Sequence, residues 1–234
     1  MIKNGAAAEY DGIEKITDQH FRDFQLEKEI NDFFNCLEKK YFKGRDYCES
    51  KMNDWGDAFI NEFETFCQTK KEYKFFLFLR LIPNTIKNSF GRQGCVVKSK
   101  FGIMELEKKF PTFRLTLKVI YVKKEQLKPI INDNIPIEDD IRKIISNIID
   151  ERKYINEDIN DYIKYIVKDV FNILKKIYPK KCFNFFFNLS KFPQIINVSS
   201  KIVNCIKGDY LIGLNHHSTE IACNIHCFIY NLKY

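Results

Sequence analysis

No apolar run in this chain approaches the roughly 18–20 residues that a membrane-crossing helix requires; the densest, FFLFL at 75–79, stops at Arg80. Nor is there an apolar stretch between Met1 and Phe21 to act as a secretory signal, so residues 1–23 read as a short solvated tail. None of the eight cysteines stands in a Cys-x-x-Cys pair, and without a secretory signal they read as reduced thiols of a cytoplasmic protein needing no metal or cofactor. The phosphate-binding patterns GxGxxG and GxxxxGK[ST], the zinc-protease HExxH and the nucleophile elbow GxSxG are all missing, which argues against an enzyme. Charge of one sign is not concentrated either. The 38 basic and 31 acidic residues give +7, but they interleave, as in EKK, KKE and DERK, and describe a solvated surface. What is abundant is apolar mass: 45% hydrophobic, with 22 Phe and 12 Tyr, ample for a core and too much for disorder.

HHSTEIACNIHC (216–227) gathers three histidines and two cysteines and raises the question of a metal. Its period answers it. Ile221, Cys223, Ile225, Cys227 and Ile229 alternate with Ala222, Asn224, His226, Phe228 and Tyr230, the pattern of a buried strand. At about 3.3 Å per residue, Cys223 and Cys227 stand roughly 13 Å apart, too far for both to reach one zinc ion at about 2.3 Å. His216 and His217 beside Ser218 would suit a base and a nucleophile, but a turn between strands explains them and they receive no role.

The chain repeats itself. WGDAFINEFETFCQTKKEYKFFLFLRLIP (55–83) aligns without a gap with YIVKDVFNILKKIYPKKCFNFFFNLSKFP (165–193) at a shift of 110. Ile30, Phe33, Phe34 and Leu37 match Ile141, Ile144, Ile145 and Ile148 at a shift of 111, and KVIYV (118–122) matches CFIYN (227–231) at 109. A first unit therefore spans 24–124 and a second 137–234, joined by the proline-containing linker EQLKPIINDNIP (125–136).

Each unit reads helix, helix, strands. In the second, Pro136 opens a helix with Ile137, Ile141, Ile144, Ile145 and Ile148 on one stripe; the next helix carries Ile159, Tyr162, Ile163, Ile166, Val170, Ile173, Leu174 and Ile177 and ends before Pro179. In the first unit the matching stripe is Trp55, Phe59, Ile60, Phe63 and Phe66. YKFFLFLRLI (73–82) is apolar on both faces and needs cover on both. CVVKSKFGI (95–103) and INVSSKIV (196–203) are the next strands, YLIGL (210–214) has no clear counterpart in the first unit, and FRLTLKVIYV (113–122) points Leu115, Leu117, Val119 and Tyr121 inward. PNTIKNSFGRQG (83–94) reads as a solvated turn.

This order resembles the Tctex-type dynein light chains. The second unit carries most of the likeness: its second helix leads through PKKCFNFFFNL, NVSSKIV is similar to the family's small-Ser-Ser strand with Ser199 and Ser200 at the serine pair, CIKGDYLIGL to its turn and third strand, and ACNIHCFIYNL to its closing strand. Trp55 falls where the family often has a tryptophan. Lys201-Ile202-Val203 departs from the aromatic pair and acid usual there. The resemblance implies an α+β fold of two tandem α-α-β-β-β-β units, antiparallel sheets with paired helices outside, joined as an intramolecular pseudo-dimer with exchanged strands. It implies a monomeric, non-catalytic, cytoskeleton-associated scaffold that takes up an extended peptide, from a dynein intermediate chain or a cargo, by strand addition. The expected edge is Tyr210, Leu211, Ile212, Gly213 and Leu214, one groove per chain, and the expected inter-unit interface is Phe76, Phe78, Phe186, Val97 and Val198. The alternative is a single-stranded nucleic-acid module using Lys98, Lys100, Arg114 and Lys118 beside aromatic strands.

Overall fold

The segment that is apolar on both faces becomes strand β1 (Tyr73–Pro83), and it is covered twice. Phe75, Leu77, Leu79 and Leu81 pack under helices α1 (Phe24–Tyr41) and α2 (Glu49–Gln68), while Phe76 and Phe78 turn to a second sheet. The computed structural model describes residues 22–86, 89–96, 101–127, 138–153, 155–177, 182–192, 196–206 and 209–230. It is an α+β structure, with four helices and two antiparallel sheets among the described residues. After β1 come β2 (Ser89–Val96), β3 (Gly102–Lys109) and β4 (Phe113–Lys123); then α3 (Glu138–Ile149), α4 (Asn156–Ile177), β5 (Cys182–Lys191), β6 (Asn197–Val203), β7 (Tyr210–His217) and β8 (Ile221–Tyr230).

One sheet runs β3-β4-β1-β6 and the other β2-β5-β8-β7. Strand β6 follows the linker in sequence yet pairs with β1, and β2 precedes the linker yet pairs with β5. Each sheet thus holds three strands from one side of the linker and one from the other.

Three layers of side chains follow from the period of two. Outer residues of β1 and β4 join Ile30, Phe34, Phe59, Ile60 and Phe63. Outer residues of β5, β7 and β8, including Cys223 and Cys227, join Ile141, Ile145, Ile163, Ile166 and Leu174. Between the sheets lie Phe76, Phe78, Ile120, Val122, Phe186, Phe228 and Tyr230, with Phe78 and Phe186 stacked at 4.5 Å. Helix α1 is fixed at its start by Asp23, whose carboxylate accepts from Leu26 N at 3.0 Å and from the Tyr73 hydroxyl.

Four expectations change. Strand β2 lies largely inside the segment read as a solvated turn and reaches the expected strand 95–103 only at Cys95 and Val96, residues 97–100 lying outside the described residues. Its ladder partner is β5, so cross-sheet pairing rather than its own Gly-interrupted pattern makes it a strand. The first half does have a third strand: β3 pairs with β4 as β7 pairs with β8. Its charged, half-exposed GIMELEKK hid it, as suits an edge. The shift of 109 at the closing strands mismatches faces, since Lys118 shares Phe78's inter-sheet face while Cys227 lies under the helices. Finally, the linker begins folded: a 3-10 turn (Lys124–Gln126) seats Leu127 in the inter-sheet layer.

Candidate functional site

The outer strands of the two sheets are β3 and β6 in one, β2 and β7 in the other. Strand β6 is laced to α2. Ser199 Oγ donates to Asp57 Oδ1 at 2.8 Å, Lys201 pairs with Glu64 at 3.2 Å, and Asn204 Nδ2 lies 3.3, 3.1 and 2.8 Å from the carbonyls of Cys67, Lys70 and Tyr73. Asn204 reaches them from a left-handed backbone, φ 58°.

The phase of β7 is fixed by two independent contacts. At the hairpin, Ser218 N donates to Ile221 O at 2.8 Å, making 218–221 a hydrogen-bonded pair and, by alternation, also 216–223, 214–225, 212–227 and 210–229. The N–H and C=O of Leu211, Gly213, Asn215 and His217 therefore point away from β8. The carbonyl of Asn215 indeed accepts from Arg142 Nη1 of α3 at 3.3 Å, and His216 Nε2 lies 2.6 Å from Asp150 Oδ1 at that helix's end. Helix α3 so closes one end of the edge and leaves the window Leu211–Gly213 without a backbone partner among the described residues. On β3, Phe110 N donates to Phe113 O at 2.8 Å, and the same alternation turns Ile103, Glu105, Glu107 and Lys109 outward.

Beneath these edges the inter-sheet layer is half apolar and half polar. Arg80 Nη1 donates to Asn188 Oδ1 of the other sheet at 3.0 Å, and Ser200 Oγ lies 2.6 Å from His226 Nδ1. Arg80 Nε, Asn188 Nδ2 and His226 Nε2 are buried without a partner among the described residues. Burial pushes the His226 imidazole down to about 4, so it is neutral near pH 7. So weakly basic a ring is a poor general base for Ser200 near neutral pH. At the other end, Lys74 Nζ sits 2.5 Å from Asp209 Oδ1, side chains 0% and 4% exposed, with the ammonium over the rings of Phe76 and Tyr230 at 4.9 and 5.2 Å. Desolvation lowers the Lys74 pKa against the pull of Asp209.

The sequence-predicted residues fall as follows. Tyr210 to Leu214 form the first part of edge strand β7, with Ile212 and Leu214 facing the helices and Leu211 facing the inter-sheet layer. Phe76, Phe78, Phe186 and Val198 meet in that layer; Val97, Lys98 and Lys100 lie outside the described residues. Lys118 is mostly covered and pairs with Glu105 at 3.2 Å. The expectation of a single groove rested on a missing third strand, and β3 removes that ground. Lys74, Arg80, Arg142, Asn188, Asp209 and His226 were not anticipated as partners. A signal existed for two of them: Arg80 in FFLFLRLI and His226 in ACNIHCFIY interrupt strands otherwise built to be buried. No protein-family model matches this chain, and no curated protein is significantly similar to it.

Proposed function

We propose that this protein is a non-catalytic scaffold of the dynein light-chain kind, two light-chain-like units in one chain paired as an internal pseudo-dimer, which binds an extended peptide by adding it to an outer sheet edge. The observation that supports the reading most is the exchange of β2 and β6 between the sheets. That crossing is what a pair of Tctex-type units implies, and it leaves β3 and β7 as outer strands with backbone groups to satisfy. The partner is an extended segment of a dynein intermediate chain or of a cargo protein, which places the scaffold in the cytoplasm on the cytoskeleton. Among the described residues no helix is long and apolar enough to cross a membrane.

Strand addition needs the outward N–H of Leu211, and proline removes it. Fluorescence anisotropy with peptides tiling a dynein intermediate chain is expected to find binding to the wild type, weakened at least about tenfold by Leu211→Pro, with thermal unfolding little changed because the lost donor is not part of the β7–β8 ladder. Light scattering is expected to give a mass near 27.9 kDa. Binding that survives the proline at both edges, tested also with Glu105→Pro, would sink the strand-addition reading; a doubled mass would sink the internal pairing. The nucleic-acid alternative predicts instead salt-dependent retention on single-stranded DNA. The inter-sheet rings it would stack on are buried, so no such retention is expected.

A further inference from the structure

Gly213 lies opposite His226 on the neighbouring strand, in a non-hydrogen-bonded pair where side chains approach most closely. Having no side chain, it leaves a gap on the inter-sheet side of the free edge. A Cβ built there would sit 3.5 Å from His226 Nδ1 and 3.6 Å from Cε1, so the imidazole ring itself forms the wall of the gap. The ring is held by Ser200 at Nδ1, the atom nearest the gap, and by Phe78, whose ring it meets edge-on at 5.4 Å; Nε2 lies behind Cε1, more than 4 Å from that Cβ. This Nε2 is buried and has no hydrogen-bond partner among the described residues. A polar atom left so is destabilising, and a ligand atom reaching it would recover that loss. Gly213 is exposed, and its neighbours on the same face, Leu211 and Asn215, are half-buried and exposed, so the gap opens toward the edge where a peptide would lie.

Resting on the strand-addition reading, we infer that the β7 edge selects a peptide carrying a carboxamide side chain, glutamine above all, at the position paired with Gly213, where it crosses the gap to His226 Nε2. The chemistry follows from the tautomers. If Ser200 donates to Nδ1, then Nε2 carries the proton and seeks an acceptor; if Nδ1 donates to Ser200, then Nε2 seeks a donor. A carboxamide offers both, so it fits either state of the neutral ring. A carboxylate fits only one, and an aliphatic side chain neither. Length also selects: the peptide strand lies one strand further out than Gly213, and glutamine reaches further than asparagine. The other edge reads differently. The residue of β3 that occupies the matching place is Ile103, paired with Ile120, so no gap and no polar atom are presented there. One chain therefore offers two edges of unlike selectivity.

The test uses the full chain and ten-residue alternating Thr/Val peptides whose central residue is Gln, Glu or Leu, labelled for anisotropy. The Gln peptide is expected to bind about three- to tenfold more tightly than the Leu peptide, the worth of one hydrogen bond. Gly213→Ala, whose methyl fits at ordinary contact distance, is expected to abolish that preference without loss of thermal stability; Ile103→Ala is expected to leave it intact. Equal binding of the Gln and Leu peptides, or a preference that persists in Gly213→Ala, overturns the subsite while leaving strand addition standing. If no peptide of the set binds at all, strand addition itself fails and the subsite goes with it.

Discussion

Gly102 shows how much one missing side chain can decide. A Cβ at that position would lie 1.8 Å from Cζ of Tyr121, whose ring crosses the start of β3 and whose hydroxyl donates to Glu27 Oε1 at 2.6 Å. The ring cannot step aside without breaking that bond and the one from Asp23 N at 3.1 Å. Gly102→Ala is expected to cost about 2–3 kcal/mol, read as a lower urea midpoint. His226 sets a pH dependence of known sign. Its folded pKa of about 4 lies below the ordinary 6.5, so its contribution is whole above about pH 6.5 and is lost as pH falls toward 4. Complete loss amounts to roughly 3 kcal/mol. Urea unfolding at pH 7 and pH 4.5 is expected to show a smaller difference for His226→Gln than for the wild type; an unchanged difference would remove the imidazole as its cause. Only one of the two leaves a sign in the sequence. Gly102 sits inside the expected strand CVVKSKFGI with no mark of the crowding at its position, while His226 shows as a polar residue interrupting a strand built to be buried. Their importance comes from what stands across the ladder.

The elements divide by where their cause lies. Helices α2, α3 and α4, and strands β1, β4, β5 and β8, carry their own periodic apolar pattern, and that pattern made them legible. Pairs such as Phe75 with Phe76 even told that β1 is covered twice. Strands β2 and β3 carry no such pattern. SFGRQGCV is a strand because β5 supplies its hydrogen bonds, and GIMELEKK because β4 does; partners remote in sequence are invisible to a local reading. The pairing within the polar layer was illegible for the same reason, since Arg80 with Asn188 joins residues whose only relation is the crossing of two sheets. The exchange has a cap of its own in Asn204. One amide with two N–H groups serves three carbonyls, those of Cys67 and Lys70 at the end of α2 and of Tyr73 at the start of β1. Asn204→Ala is expected to cost about 1–3 kcal/mol in chemical denaturation, and Asn204→Gly, which keeps the left-handed backbone at no strain, somewhat less. Equal stability of all three would show that those carbonyls are served by solvent instead.

Across the whole molecule, the Lys74–Asp209 pair ties the end of the apolar inter-sheet layer, one partner from each side of the linker. Both side chains are buried, so removing one leaves an uncompensated charge. Lys74→Met and Asp209→Leu are each expected to destabilise by about 3–5 kcal/mol, whereas the double variant recovers most of that loss, because two apolar residues need no partner. Thermal unfolding of the four proteins checks the cycle; additive losses would mean that the two charges do not see each other. Arg80 with Asn188 works the same inter-sheet seam, and Lys201 with Glu64 joins the two sides of the linker at α2, so each half recognises its particular opposite, not merely any oily face.

Strand exchange also fixes the order of events at birth. The hydrogen-bond partner of β2 is made about a hundred residues after it, and β1 must wait longer still for β6, so the contact order is high and folding slow. While the ribosome is still at the linker, Phe76, Phe78, Ile120 and Val122 have been synthesised without the strands that will shield them. The nascent chain is therefore a natural client for chaperones, and a truncation anywhere before β8 leaves that sticky face permanently uncovered.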